Sequence, residues 1–326
     1  MKMPDIYYDS AYVKLCERIE DGKATIISVN NEDGVICSPV ILRKIPIDIG
    51  EDYYDLITPY GYGGPAILSL TGDKEKLIRS YENEMKLFAK KNNIVSEFIR
   101  FHPVIGNALE FETMYHPEWN RKTIGTNTKD FDIRDEFSKS ALKSIRRALK
   151  VGITYSVVEN PENIDEFQEI YYSTMDRDNA DDFYMFPKSY FQQCVQELRQ
   201  HIIYVKVQLE GKVIAAGLYF RYGDIIQCHL SGTLTEYLKY SPAYIIKYAT
   251  ALWAKDNGVH YIHYGGGTSK DNDNPLYLFK KKFGQNTEFD FYVGRKIWNE
   301  EVYQQLCDMV GVDKNVDYFP AYRIKK

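Results

Sequence analysis

The sequence of 326 residues has no long apolar run and no excess of positive charge. No segment approaches the roughly 20 apolar residues that cross a bilayer, and residues 1–15 contain no apolar signal core. These two absences predict a cytoplasmic protein. A formal net charge of −5 excludes a surface that is basic throughout, which a protein coating nucleic acid needs, but it leaves room for a local basic patch.

Cysteine and histidine are also sparse, at five and six residues. The cysteines are odd in number, irregularly spaced and form no C-x-x-C pair, which predicts buried or free thiols and argues against disulfides or a zinc site. His260 and His263 are three residues apart, and on a strand such residues point to opposite faces. We therefore expect no metal site and no tightly bound cofactor.

The sequence does contain one order of predicted elements twice. Alternating β-branched residues, turn glycines and helical periodicity predict strand, strand, strand, helix, strand in each half. The segments are 24–30, 34–42, 53–58, 74–91 and 95–101 in the first half, and 202–209, 212–221, 225–231, 242–257 and 259–264 in the second. We expect an α/β (layered α+β) fold of two similar domains, each a mixed, mainly antiparallel sheet flanked by helices.

The domain boundary is predicted at a helix over residues 134–150, which Gly152 ends. A chain of this length exceeds one ordinary core. We expect a first domain over residues 1–145, a second over 146–312, and a tail over 313–326 that would pack back on the first. Lys143, Arg146 and Arg147 lie on one stripe of the helix, which predicts either a solvated face or contact with phosphates of tRNA or of a nucleotide-linked substrate.

Two glycine-rich segments follow strands, at residues 60–65 and 265–270. Neither has the spacing of a dinucleotide fingerprint or a Walker A loop. Each is either a plain turn or a place where the backbone approaches a substrate closely. The second interpretation makes substrate-binding candidates of Tyr60, Tyr62, Gly63, Gly64, Gly265 and Gly266.

The segment 278–284 carries a lysine between two aromatic residues. Phe279 and Phe283 are four residues apart, so they share one face of a predicted helix. A lysine held beside apolar rings, here Lys280, stabilises a developing oxyanion well. The alternative is a plain run of surface lysines.

These motifs occur in an order that resembles the FemAB-type proteins, which are tandem GNAT-fold transferases and include the peptidoglycan bridge aminoacyltransferases. The segments that carry the resemblance are 60–65, 98–103, 119–124, 143–148, 215–220, 229–233 and 279–284. These segments are distributed along most of the chain, so the resemblance covers nearly all of it. The resemblance implies two GNAT domains facing one cleft, and an acyltransferase activity.

The resemblance also implies roles for individual residues. The family's Phe-Lys pair, associated with the aminoacyl ester, matches Phe279 and Lys280, whereas His102 stands where the family has the Asp of an I-D-P motif. The catalytic candidates are Lys280, to stabilise the oxyanion or hold the donor end, and His229 and Tyr219, to relay protons or line the tunnel. Substrate-binding residues are expected at Tyr60, Tyr62, Gly63, Gly64, Arg100, His102, Phe279, Gly265 and Gly266, and phosphate or tRNA contacts at Lys143, Arg146 and Arg147.

The donor is the least determined part of this expectation. Acetyl-CoA enzymes of the GNAT fold carry a [QR]-x-x-G-x-[GA] loop, but no glycine lies between Gly232 and Gly258. We therefore rank aminoacyl-tRNA above acyl-CoA, with an amine of a cell-wall precursor or peptide as acceptor and membrane contact only through a lipid-linked substrate. The alternatives are an acyl-CoA-dependent N-acyltransferase and a non-catalytic ligand-binding protein.

Overall fold

The computed structural model describes residues 2–180, 184–271 and 273–324. The chain divides into two compact units, Met1–Asn120 with Asp290–Lys326 (unit 1) and Arg121–Phe289 (unit 2). The division therefore lies at residues 120 and 290, whereas the sequence placed it near residue 145. The physical reason is that a strand from the C-terminal part of the chain completes the first sheet, a long-range pairing with no local signature.

Unit 1 begins with a 3-10 turn, Ile6–Tyr8, and helix α1, Ser10–Leu15. Its strands are β1 (Lys23–Asn31), β2 (Gly34–Lys44), β3 (Tyr54–Ile57), β4 (Ala66–Leu70) and β5 (Ile94–Arg100). Its helices are α2 (Lys74–Lys91), α3 (Glu112–Tyr115) and α10 (Glu300–Val310). Strands β6 (Glu118–Asn127) and β12 (Glu288–Ile297) carry the chain from one unit into the other.

The sheet of unit 1 has the order β1-β2-β3-β5-β12, and β4 pairs with β2. All neighbours are antiparallel except β3 and β5, which are parallel. Helix α2 supplies the crossover that a parallel pair needs. Asp73 caps its first turn by accepting from the backbone N–H groups of Glu75 and Lys76. Its buried face packs Leu77, Tyr81 and Met85 into the core of this unit.

The C-terminal tail belongs to unit 1. The Tyr322 hydroxyl lies 2.8 Å from Ser96 Oγ on β5, and Arg323 forms an ion pair with the buried carboxylate of Asp55 on β3. Tyr322 and Tyr303 of α10 share a cluster with Val95. These contacts attach the last described residues to strands β3 and β5 of the same sheet.

Unit 2 contains β7 (Thr154–Glu159), β8 (Ile202–Leu209), β9 (Lys212–Tyr222), β10 (Ile225–Thr233) and β11 (Tyr261–Gly265). Its helices are α4 (Ile133–Glu136), α5 (Lys139–Lys150), α6 (Asp165–Arg177), α7 (Lys188–Leu198), α8 (Pro242–Asp256) and α9 (Pro275–Lys281). The strand order is β6-β11-β10-β9-β8-β7. Only β10 and β11 pair in parallel, and α8 connects them.

The predicted helix over residues 134–150 is two helices, α4 and α5. The break falls at Phe137, whose ring is buried, and Ser138 caps α5 by accepting from Ala141 N. Both helices pack into the unit 2 core through Ile133, Phe137 and Ile145. The segment is therefore an internal part of unit 2 and not a linker.

The predicted strands and helix occur in the predicted order in both units, but in unit 1 the additional strand β4 lies between the third strand and the helix. Each sheet is mixed and mainly antiparallel and carries helices, as predicted. Strands β4, β6 and β7 were not predicted. Among the described residues, no helix has the length and apolar character that a bilayer crossing requires.

Candidate active site

In unit 2, strand β11 leads into a loop that is tied to the start of α9. Asn274 caps α9: its Oδ1 accepts from the backbone N–H groups of Leu276 and Tyr277, both at 3.1 Å. Its Nδ2 donates to Thr268 Oγ1 and Ser269 Oγ. The loop 265–270 is therefore ordered by the helix cap, and it brings its glycine carbonyls toward the last turn of α9.

Lys280 and Arg121 donate hydrogen bonds to these carbonyls. Lys280 Nζ donates to the carbonyl oxygen of Gly266 at 2.6 Å, and Arg121 Nη1 donates to that of Gly267 at 2.7 Å. Gly265 has φ +75°, where a side chain would be strained. The structure thus brings the Lys280 amine into contact with Gly266, next to Gly265.

The environment of Lys280 changes its acidity. Burial lowers the pKa of its amine from 10.5 to about 8, and the cations of Lys247 and Arg121 act in the same direction. Near pH 7 the amine is still mainly protonated, and it loses its proton as the pH rises to between about 8 and 9. Such a group can present a cation to a developing anion.

Phe279 lies on the aromatic side of α9. Its ring centroid is 5.3 Å from the rings of Tyr244 and Phe283 in edge-to-face contacts, and Phe283 is fully buried. Phe283 therefore anchors α9 in the core. Phe279 remains half-buried, so part of its ring is open to a ligand.

Tyr219 belongs to a buried cluster that the sequence did not indicate as a whole. Lys247 of α8, only 5% exposed, donates from Nζ to Tyr219 Oη at 3.2 Å and to Cys228 Sγ at 3.2 Å. The same amine lies 4.4 Å from the ring centroid of Tyr264. The one available signal was a lone lysine in an otherwise apolar helix at residues 242–254.

The predicted proton-relay roles of Tyr219 and His229 meet unfavourable surroundings. Burial raises the pKa of Tyr219 well above 10, and burial lowers the pKa of His229 to about 3. His229 Nε2 lies 2.6 Å from the Tyr190 hydroxyl, and its ring lies against Phe220. Both groups are neutral near pH 7, which favours a lining role.

The histidine pair at residues 260 and 263 does not converge. His260 Nε2 lies 3.1 Å from Asp130 Oδ2, while His263 lies between Gln227 Oε1 and Thr123 Oγ1, each at 2.9 Å. Across residues 2–180, 184–271 and 273–324, no group of three or more His, Cys, Asp or Glu side chains is arranged to hold a metal ion.

The basic stripe of α5 is solvent-exposed. Lys143, Arg146 and Arg147 point away from the core formed by Ile145 and its neighbours. None of the three has a carboxylate within ion-pair distance in the described part of the chain. A groove of about 660 Å³ next to the stripe is lined by Arg146, Leu142, Leu149, Tyr248 and Leu252.

In unit 1 the predicted glycine turn is held by its own surroundings. Tyr8 Oη lies 3.1 Å from the carbonyl oxygen of Gly63 and 3.0 Å from that of Gly64, and Asn107 Nδ2 donates to Gly63 O at 2.9 Å. A Cβ on Gly64, at φ +79°, would lie 2.9 Å from a methyl of Ile99. The turn therefore needs Gly64 for its fold as well as for any ligand.

Arg100 also supports this turn. Its Nη2 donates to Glu20 Oε1 at 2.6 Å and to the carbonyl oxygens of Thr58 and Pro59 at 2.6 and 3.0 Å. The Tyr60 carbonyl accepts from Tyr12 Oη at 2.8 Å. The guanidinium is thus occupied in positioning residues 58–60.

His102 is enclosed near the same turn. Its Nε2 lies 3.5 Å from the carboxylate of Asp5, and both side chains are fully buried. Its ring centroid lies 5.7 Å from Tyr7 and 6.3 Å from Tyr62, which itself remains half-buried. The structure brings His102 and Tyr62 together, and it adds Asp5 and Tyr7, which no sequence motif indicated.

Comparisons with known proteins agree with this architecture. A family model described as an acetyltransferase (GNAT) domain matches residues 136–273. A UDP-N-acetylmuramoylpentapeptide-lysine N(6)-alanyltransferase from Weissella viridescens is 25% identical over 175 residues, which are 53% of this chain and 51% of that protein. The crystal structure of FemX superposes with a TM-score of 0.68 at 15% identity and covers 92% of this chain and 94% of its own. The chain has the FemAB-like GNAT fold.

The FemAB-like fold extends to further solved structures. The C-terminal domain of a putative lysylphosphatidylglycerol synthetase from Agrobacterium fabrum gives a TM-score of 0.58 at 14% identity, covering 90% of this chain and 89% of that one. The L-PGS structure from Bacillus licheniformis gives 0.54 at 14%, covering 92% and 94%. The predicted resemblance to FemAB-type proteins is confirmed at the level of the fold. The chain spans about half the length of the curated relative that it matches.

Proposed function

We propose that this FemAB-like chain is an acyltransferase that moves an aminoacyl group from aminoacyl-tRNA to an amine of a cell-wall precursor or peptide. The observation that carries the proposal is the position of Lys280, next to Phe279, with its amine on the Gly266 carbonyl and its pKa lowered to about 8. The likeness to an alanyltransferase that acts on a muramoylpentapeptide supports this substrate class.

The chemistry is an aminolysis of an ester. The acceptor nitrogen attacks the ester carbonyl, a C–N bond forms, the C–O bond to the ribose breaks, and the ribose hydroxyl leaves with a proton from the acceptor amine. Negative charge develops on the carbonyl oxygen in between. The Lys280 ammonium stabilises that charge electrostatically, as a preorganised cation next to a developing oxyanion does.

Recognition of the two substrates is proposed for other residues. The exposed cations Lys143, Arg146 and Arg147 fit the phosphates of tRNA. The half-buried Tyr62, on the turn that Arg100 supports, fits contact with a small-molecule or peptide acceptor, and the buried His102 beside it fits a role in positioning Tyr62.

A second donor is supported by the acetyltransferase description of the matching GNAT family model. An acyl-CoA would place its pyrophosphate at the start of α8. Ser241 occupies that position with φ +56° and makes no side-chain cap, and no glycine loop precedes it. We therefore keep acyl-CoA as the second candidate.

The test measures unfolding temperature and transfer with the same ligands. Aminoacyl-tRNA and a UDP-linked muramoylpentapeptide should each raise the unfolding temperature, since a ligand that binds the folded state stabilises it. Lys280→Met should abolish transfer. Lys281→Met is the matched control, because Lys281 is the next residue of the same helix and its amine forms an ion pair with Glu288 of β12. Stabilisation by acetyl-CoA alone would contradict the proposed donor.

A further inference from the structure

A thiol and a buried amine meet beside Lys280 in unit 2. Cys228 of β10 pairs with Tyr219 of β9, and the pairing register shifts between Cys228 and Leu230. Irregularities of this kind redirect side chains and are common near active sites. Lys247 Nζ, which comes from α8, donates to Cys228 Sγ at 3.2 Å.

The Lys247 amine has no carboxylate to balance it in the part of the chain that the structure describes. Its contacts are the Tyr219 hydroxyl, the Cys228 thiol and the faces of two tyrosine rings. The side chain is only 5% exposed. A buried ammonium without an opposite charge costs several kcal/mol, so a partner that can become negative stabilises it.

The thiol is the partner best suited to carry that negative charge. Thiols ordinarily ionise near pH 8.5 or so and phenols near about 10. Burial raises the pKa of the Tyr219 hydroxyl further, which leaves the phenol neutral. A cation next to a cysteine favours the thiolate, which is the reactive form.

Cys228 also differs from the other cysteines in access. All five cysteines lie among the described residues, and Cys16, Cys37, Cys194 and Cys307 are buried, whereas Cys228 is partly exposed. Gln227 pairs with His263, so Cys228 lies level with Tyr264, and the Lys247 amine contacts both of them. Two residues beyond Tyr264, the Gly266 carbonyl accepts from Lys280, so a group attached to Cys228 would lie towards the Lys280 amine.

We propose that Cys228 is a modification site: its thiolate, paired with the Lys247 ammonium, reacts with low-molecular-weight disulfides and thereby blocks the site around Lys280. In this exchange the Cys228 sulfur attacks one sulfur of the disulfide, a mixed disulfide forms, and the other half leaves as a thiolate. Lys247 keeps its proton. The blocking effect rests on the proposed function, but the reactivity does not.

The reactivity is tested with an aromatic disulfide, dithionitrobenzoate, on the folded protein. One thiol should react about tenfold or more faster than the other four, peptide mapping should place it at Cys228, and Cys228→Ser should remove the fast phase. Lys247→Met should slow that phase about fivefold or more, while Lys247→Arg, which keeps the cation, should retain most of it. Lys255→Met removes a surface cation from the same helix and should change the rate less than about twofold.

Two results would overturn the reactive-thiol proposal. One is a Cys228 that reacts no faster than the buried cysteines. The other is a Lys247→Met protein that reacts at the wild-type rate and has an unchanged circular dichroism spectrum, since the thiolate would then not depend on Lys247. If Lys247→Met fails to fold, the reaction rate of Lys247→Arg is measured at several salt concentrations instead. Because this variant keeps a cation at position 247, it must retain the fast phase, and loss of that phase would overturn the proposal.

The blocking effect has its own readout. Aminoacyl transfer by the treated wild-type protein should fall about tenfold or more and return when a dithiol reductant removes the adduct, while any transfer by Cys228→Ser should be insensitive to the reagent. Full transfer by a protein labelled at Cys228 would refute blocking and leave the proposed function intact. Absence of transfer before treatment would refute the proposed function, and the labelling rates would still decide the thiol.

Discussion

The pH dependence of transfer depends on the protonation of one side chain. If the Lys280 ammonium stabilises the oxyanion, its contribution must fall as pH rises through its lowered pKa of about 8. At pH 7 about 90% of such a group is protonated and at pH 9 about 10%, whereas an ordinary lysine stays almost fully protonated. The step that depends on Lys280 should therefore slow about ninefold between pH 7 and pH 9.

The acceptor amine complicates a simple profile, because it gains reactivity as it loses its own proton. Lys280→Arg separates the two effects, since arginine stays charged throughout this range. We predict that the ratio of wild-type to Lys280→Arg kcat/KM falls about ninefold from pH 7 to pH 9. A flat ratio would refute the requirement for a charged Lys280. A rising ratio would show that Lys280 acts as a base.

Three further predictions follow from contacts away from Lys280. Burial raises the pKa of Glu97 from 4.5 to about 7, so the folded state binds the extra proton, and stability is lost as pH rises between these values. Glu97→Gln should stabilise the protein at pH 8 by about 1–3 kcal/mol in chemical denaturation and leave it unchanged near pH 4, and equal stability at both pH values would contradict this. Gly64→Ala should cost about 1–3 kcal/mol, and Gly63→Ala, whose Cβ would meet only ordinary contacts from 3.4 Å, should cost clearly less in the same assay. The double variant Arg146→Glu, Arg147→Glu should bind tRNA more weakly. The slope of the logarithm of its binding constant against the logarithm of salt concentration should become shallower by about 1–2, and an unchanged slope would exclude this helix face as a tRNA contact.

Local patterns predicted most elements because each uses short-range information. Helix α2 has its stripe of Leu77 and Tyr81 and its cap at Asp73, and the hairpin of β8 and β9 has its turn at Glu210 and Gly211. Strand β12, by contrast, pairs with β5, which joins residues almost 200 positions apart. No periodicity reveals such a partner, so the predicted domain boundary differed from the observed one.

In the candidate site, too, the residues with a local sequence pattern were predicted and those brought together by long-range pairing were not. The spacing of Phe279 and Phe283 was enough to place Lys280 on the helix flank, whereas the glycines at 265 and 266 left a plain turn and a close approach to a substrate as alternatives. Lys247 and Cys228 come from different elements, and only the parallel crossover through α8 brings them together. Arg100 was expected at a ligand, whereas its guanidinium holds the carbonyls of the neighbouring turn, because a buried cation satisfies the nearest acceptors first.

The most direct test of the account is a transfer assay with defined donors. The purified chain is incubated with a UDP-linked muramoylpentapeptide and, separately, with tRNA carrying radiolabelled amino acids or with radiolabelled acetyl-CoA. We predict label in the peptide from aminoacyl-tRNA, lost in Lys280→Met and kept in Lys281→Met. Label from acetyl-CoA alone, or equal transfer by Lys280→Met and the wild type, would contradict the account.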